Sequence, residues 1–336
     1  DGVIVGNVLS AGLGMNVARQ IAVRLGLPVS TPAFSVNAMC ASGMQAILLA
    51  MQAIRAGDAR CVLCGGTESM SNAPYLLDRA RTGYQLGDGV MIDSLLRDGL
   101  TDPFGNGHMG LTAEQLATTY GISRREQDAY AARSQQRHAR AAEAGRFAAE
   151  IAPLEELSVD EHPRPATTEE SLAKLRPAFK PDGTVTPGNA SGINDGAAML
   201  LVCDDQFAAE RDLRPLAFLT GGTLVGCDPA AMGLGPVHAT RALCAKLGAS
   251  ADRFDLVELN EAFAVQSLAC VRELQLDEQR VNPDGGAIAV GHPIGASGAR
   301  LVTHLSHILA AKRTGTALAT LCVGGGMGCA VAMEAE

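Results

Sequence analysis

The chain has 336 residues, 47 % apolar and only 19 % charged, against about 25 % charged in an ordinary soluble domain. That much apolar surface requires extensive burial, within about two or three packed units or between subunits. With 27 basic and 36 acidic side chains the net charge is −9, which excludes a uniformly basic nucleic-acid surface. No apolar run approaches the roughly 18 residues of a membrane span. Neither end carries a signal-peptide or lipidation pattern. The expectation is a soluble, cytoplasmic α/β enzyme that binds neither nucleic acid nor membrane.

Taken in order, residues 3–8 read as a strand and 16–25 as a helix stopped by Gly26 and Pro28. Residues 34–36 read as a short strand, 42–55 as a helix apolar nearly all round, and 59–64 as a strand running into Gly65-Gly66. A helix with apolar residues on every side must be covered on most of them. Strand and helix in alternation imply a mainly parallel sheet. Residues 71–193 are more polar, with a long helix over 124–144 and closing prolines at 163, 165, 177, 181 and 187. They read as an inserted, solvent-facing region.

Alternation then resumes, with strands over 197–202, 216–224, 255–259 and 317–323, a short extended stretch at 287–290, and a helix over 297–312. Val36-Asn37, Ser42-Gly43 and Gly65-Gly66 in the first half are echoed by Val281-Asn282, Ser297-Gly298 and Gly324-Gly325 in the second. The echo points to two related α/β halves. The expected partition is 1–70 plus 194–213, the insertion 71–193, and 214–336.

Nine cysteines in a chain this long point to free thiols in a reducing compartment rather than a disulfide scaffold. Cys61 and Cys64 have zinc-type spacing, but on a strand residues three apart face opposite sides, and no second pair accompanies them. No metal site is expected.

Four constellations could carry chemistry. Cys40 sits between a strand and a helix start, where N–H groups and the helix dipole favour a thiolate. It is either a nucleophile or a packed structural thiol. His292, in Gly291-His292-Pro293-Ile294-Gly295-Ala296-Ser297-Gly298, lies in a glycine-rich turn at a helix mouth. It suits a base near neutral pH or a capping role. Cys322 precedes Gly324-Gly325-Gly326, where backbone N–H groups can crowd a ligand oxygen. Asn260 ends a strand before Phe263 and can polarise a carbonyl or hold a water. The neighbouring Glu261 reads as a local hydrogen-bonding residue. All four lie at carboxyl ends of strands, where open α/β sheets bind ligands. Gly12-Leu13-Gly14 lacks the third glycine of a dinucleotide fingerprint, and the run at 324–328 lacks the Lys-Ser/Thr of a phosphate loop.

Together, Asn37-Ala38-Met39-Cys40-Ala41-Ser42-Gly43, Asn260-Glu261-Ala262-Phe263, the His292 motif and Cys322-Val323-Gly324-Gly325-Gly326 resemble the thiolases. The match is to the biosynthetic, acetyl-CoA acetyltransferase type. Gly65-Gly66-Thr67-Glu68-Ser69-Met70-Ser71 and residues 188–196 extend the likeness over nearly the whole chain.

The resemblance implies a thiolase-like α/β fold, two similar halves stacked in five layers (αβαβα) with an inserted loop domain, assembled as a homo-oligomer, a tetramer or a dimer. It implies no permanently bound cofactor; coenzyme A, acetyl-CoA and acetoacetyl-CoA are substrates and products. Cys40 would be acetylated after activation by His292, and Cys322 would move the α-proton of a second acetyl-CoA. His292 and Asn260, the latter through a water, would form one oxyanion hole. The N–H groups of Cys40 and Gly324 would form the other. Arg164, Ser171 and Ser191 correspond to coenzyme A contacts, and Met109, Phe179, Met232 and Phe263 to apolar walls. His108-Met109-Gly110 resembles the short-chain type. Arg124, Arg125, Arg133, Arg137 and Arg140 are either a positive field for phosphates or a solvated helix face.

Two departures accompany the likeness. Family members carry a stretch before the position of Asp1 that includes a strand from the middle of the first sheet, so unpaired ladder groups are expected in the core. The excursion at 154–161 is also shorter. Alternatives are a thiolase of longer chain specificity, a decarboxylating ketoacyl synthase, against which Cys322 argues, and a non-catalytic acyl-CoA binding protein.

Overall fold

A computed structural model describes residues 1–336. Two four-stranded sheets sandwich a pair of helices. The first sheet contains β1 (Gly2–Gly6), β2 (Ala33–Val36), β3 (Cys61–Ser69) and β4 (Asp195–Cys203), in the order β2-β1-β3-β4. The second contains β5 (Phe218–Gly226), β6 (Leu256–Leu259), β7 (Thr316–Val323) and β8 (Met327–Glu334), in the order β6-β7-β8-β5.

The sheets are mixed rather than mainly parallel. β2, β1 and β3 run parallel and β4 antiparallel; in the second sheet only β6 and β7 are parallel. The expected gap in the middle of the first sheet is not there, because β1 pairs with β2 on one side and β3 on the other. The uncovered place is instead the outer edge of β4. In the second sheet β5 lies on the corresponding edge of β8.

α2 (Ser42–Ala56) and α7 (Ser297–Lys312) pack together between the sheets. Met44, Ile47, Leu301 and Leu305 from these helices share one core with Ile4, Val62, Cys64, Leu321 and Val331 from the facing strands. Each fully buried side chain of this size is worth about 1.5–3 kcal/mol of burial. α1 (Val17–Arg24) covers the outer face of the first sheet through Ala18 and Ala22. α5 (Gly235–Leu247) and α6 (Ala264–Leu274) cover the second through Val237, Leu243, Cys270 and Val271. The result is the five-layer α/β stack. No helix is long and apolar enough to cross a membrane.

The starts of the central helices touch: a Cβ at Gly298 would collide with Met44 and one at Gly43 with Ala299 and the Gly295 carbonyl. A Cβ at Gly66 of β3 would collide with the same carbonyl. Between β3 and β4 the insertion contributes α3 (Met109–Tyr120) and α4 (Arg124–Glu143), which pack on α6 and on the one-turn helix Ala287–Val290. That last stretch was expected to be extended. Gly286 and Gly291 bound it, and the N–H of Ile288 is held by Glu261 Oε2 at 3.1 Å.

Candidate active site

β2 delivers the chain through Asn37–Met39 to Cys40, just before α2. Met39 adopts a left-handed backbone (φ 49°), uncommon outside glycine. Its N–H donates to Asn37 Oδ1 (2.9 Å), and Ser42 Oγ donates to its carbonyl (2.6 Å) while accepting from the Ala38 N–H (2.9 Å). The thiol of Cys40 faces two backbone N–H groups, its own and that of Gly324. Burial nevertheless pushes it up to about 11, and the charge of Glu68 adds to the rise. Desolvation thus works against the N–H groups that favour a thiolate at the helix start and outweighs them.

His292 is buried, and burial, with Arg300 nearby, lowers it to about 4. Its Nδ1 lies 2.5 Å from Ser297 Oγ, and that hydroxyl donates to the Pro293 carbonyl at 2.9 Å. The single hydroxyl proton is therefore committed, so Nδ1 carries the ring N–H and Nε2 the lone pair. Asn260 Nδ2, at 3.5 Å, approaches that same Nε2. The ring is neutral at pH 7 with its accepting nitrogen turned inward. Because it is neutral it can take a proton from a neutral thiol.

Asn260 is fully buried and its Oδ1 has no protein partner, an open acceptor in a polar recess. Cys322, at the end of β7, is buried and raised well above an ordinary thiol, by burial first and by nearby Cys40 second. The chain turns at Gly325 and Gly326 (φ 84° and 86°) and returns as β8. A Cβ at Gly324 would make ordinary contacts with Met109 Sδ (3.5 Å) and Met39 Cε (3.8 Å) and collide with nothing. Glu261 points away from this space. It accepts from Tyr130, Ser134, Asn282 and the Ile288 N–H, the local role expected of it.

Sequence reasoning passed over two residues here. Ser297 was read only as a helix opening, although its place five residues after His292 puts it on the imidazole. Glu68 was read only as part of a motif. Its buried carboxylate accepts N–H groups from Val8, Leu9 and Gly295 and the Asn7 amide, all at 2.9–3.1 Å. It thereby clamps the His292 turn of the second half to β3 of the first.

The apolar wall residues converge. Met109, Phe179, Met232 and Phe263 share a cluster with Cys322. His108 stacks on Phe179 (ring centroids 4.7 Å apart), and Phe179 meets Phe263 edge-on at 6.2 Å. Ser191 donates through both N–H and Oγ to the Ala262 carbonyl (3.0 and 3.1 Å), tying the insertion to the Asn260 loop.

Other residues are engaged elsewhere. Arg164 Nη1 folds back onto the carbonyls of Glu161, His162 and Pro163. Ser171 caps a short helix with Thr168. Arg124 pairs with Asp128 on its own helix and donates to the Leu172 and Leu175 carbonyls, Arg133 pairs with Glu278, and Arg137 donates to the carbonyls of Glu278, Val281 and Asn282. These three fasten α4 to its neighbours, while Arg125 and Arg140 are exposed.

The buried, raised thiols and the lowered imidazole, with backbone N–H groups beside Cys40, are groups that acyl transfer can use. Fold and site together fit an acyl-transfer enzyme. Residues 1–206 match the family model "Thiolase, N-terminal domain" and residues 213–335 match "Thiolase, C-terminal domain". The chain belongs to the thiolase family.

An acetyl-CoA acetyltransferase from Pseudomonas aeruginosa is 51 % identical over 100 % of this chain and 88 % of its own length. The crystal structure of the Bacillus anthracis acetyl-CoA acetyltransferase is 42 % identical, with a TM-score of 0.95 over 100 % of this chain and 87 % of that one. Human mitochondrial 3-ketoacyl-CoA thiolase in complex with CoA is 47 % identical, with a TM-score of 0.97 over 100 % and 86 %.

Proposed function

We propose that this thiolase condenses two acetyl-CoA into acetoacetyl-CoA and CoA, and runs the reverse thiolysis, through an acetyl-Cys40 intermediate. His292 Nε2 takes the proton of Cys40 as its sulfur attacks the thioester carbonyl. The N–H groups of Cys40 and Gly324 hold the oxyanion, and the departing CoA sulfur takes the proton of Cys322. The Cys322 thiolate so formed removes an α-proton from the second acetyl-CoA. The enolate oxygen accepts from the N–H now on His292 Nε2 and, through a water, is held by Asn260. The carbanion attacks the acetyl group, and the Cys40 thiolate it releases takes its proton back from His292.

The observation that carries this reading is the direction of the three pKa shifts. A raised Cys40, a raised Cys322 and a lowered His292 give a site with no resting charge, suited to a reaction that moves protons only while substrate is bound. His108, Met109, Phe179, Met232 and Phe263 would line the acyl and pantetheine path, with Ser191 beside it. Arg164 and Ser171, near the nucleotide, would have to release their present partners.

A longer 3-ketoacyl specificity is the second reading, favoured by the likeness to the human enzyme. The partition 1–70 plus 194–213, 71–193 and 214–336 is retained. Nine free thiols support a reducing, cytoplasmic setting. Exposed Tyr75, Leu77, Leu86 and Met91 on and beside a hairpin of the insertion support a homo-oligomer, a tetramer ahead of a dimer.

Acetyl-CoA should add one acetyl group to the intact protein, and acetoacetyl-CoA plus CoA should be consumed faster than a long-chain 3-ketoacyl-CoA plus CoA. Preference for the long chain selects the second reading. No adduct and no turnover with either would end both.

A further inference from the structure

Cys61 and Cys203 lie opposite each other on β3 and the antiparallel β4, at the end of the sheet away from the catalytic loops. Neighbouring bonds fix the character of this pair. The Arg60 carbonyl accepts from the Asp204 N–H at 2.9 Å, so the residue before Cys61 is hydrogen-bonded across the ladder. The N–H of Cys61 is turned the other way, donating to Asp1 Oδ2 at 3.0 Å. Cys61 and Cys203 are therefore a non-hydrogen-bonded pair, the closer of the two antiparallel kinds, with Cα atoms about 4.5 Å apart and side chains on one face.

That separation falls inside the roughly 4.4–6.8 Å a disulfide spans. Both thiols are free; Cys61 is buried, while Cys203 is partly exposed. Cys64 points to the opposite, core-facing side, so the choice of partner is unambiguous.

We propose that Cys61 and Cys203 are an oxidation site that closes to a disulfide when the protein meets a hydroperoxide, independently of the acyl-transfer site. Cys203, the more accessible, attacks the peroxide: its sulfur gains the terminal oxygen as a sulfenic acid and the O–O bond breaks, releasing one water. Cys61 sulfur then displaces the hydroxyl from Cys203, forming S–S and releasing a second water. Two thiols are oxidised by two electrons and one hydrogen peroxide is reduced to two waters. The bond joins the two strands that bracket the whole insertion and ties β4 to β3.

The test treats the full chain with hydrogen peroxide, blocks remaining thiols with N-ethylmaleimide, digests without reductant and maps the peptides by mass spectrometry. Expected is a Cys61–Cys203 peptide pair, two hydrogens lighter than its parts and separated by dithiothreitol. The oxidised protein should melt at a higher temperature than the same sample after reduction. Cys203→Ser should keep the parent's thiolysis rate and show neither effect; if it misfolds, Cys203→Ala and the wild-type map carry the test. Recovery of both cysteines as separate maleimide adducts, or Cys40–Cys322 as the only linked pair, overturns the proposal. An unchanged melting temperature overturns the stapling of β4.

Discussion

β4 of the first half and β8 of the second occupy equivalent places, antiparallel to a strand with paired glycines at its middle (β3) or just past its end (β7). β8 is buried along nearly its whole length because β5 covers its outer edge. β4 has no such neighbour: Leu201 is 55 % exposed, and a groove of about 590 Å³ runs beside it between α2, α7 and residues 213–219. The candidate site draws on both halves: His292, Asn260, Cys322 and Gly324 come from the second, Cys40 and the clamp Glu68 from the first. Cys40 lies just before α2, the helix that packs with α7 between the two sheets.

The division can be broken at the nucleophile first. Cys40→Ala should lose about 10⁴-fold or more in thiolysis rate, with no acetyl adduct by intact mass. A full adduct would move the nucleophile into the second half. Asn260→Ala, in the second half, should lower kcat about 10²–10³-fold while the Cys40 adduct still forms; loss of the adduct as well would assign Asn260 to the first oxyanion.

Glu68→Gln tests the clamp between halves. With one accepting oxygen instead of two, buried N–H groups lose their partner, which costs about 2 kcal/mol of stability. As a positioning residue it should lower kcat more than it changes KM. Removing its charge should also bring the pH midpoint of Cys40 alkylation down from about 11. An unmoved midpoint with only lower stability would leave Glu68 a purely structural residue.

The smallest effect concerns His304 on α7. Burial opposes its charge, but the hydrogen bond from Nδ1 to Glu150 (2.9 Å) and the charge of Glu258 raise it above the ordinary histidine value. A group raised in the folded state stabilises fully below its unfolded value, about 6.5, and loses that contribution as pH rises through the folded one. The melting-temperature gap between wild type and His304→Gln should therefore be widest near pH 6 and narrow toward alkaline pH. A gap that widens with pH would contradict the assignment.

Much of this arrangement is legible in the residues. Ser42-Gly43 and Ser297-Gly298 mark the starts of both central helices, because the helices touch there and only small residues fit. β8 was not legible, since the glycine run before it reads as an ending and only the ladder with β7 and β5 shows a hairpin. Residues 287–290 are four small apolar residues, too few to show a period. The clamp by Glu68 and the anchoring by Arg124, Arg133 and Arg137 join positions far apart in sequence. The resting state of Cys40 escaped for a different reason: a motif displays the N–H groups that favour a thiolate but not the depth of burial that opposes it.

The raised thiol of Cys40 has a practical consequence for anyone choosing an inhibitor. Reagents that rely on a pre-formed thiolate, such as simple alkyl halides, should find this sulfur sluggish at neutral pH. Electrophiles bearing a carbonyl oxygen that reaches the Cys40 and Gly324 amides would recruit the same assistance as the natural thioester. Selectivity among warheads should accordingly track oxygen placement rather than intrinsic reactivity.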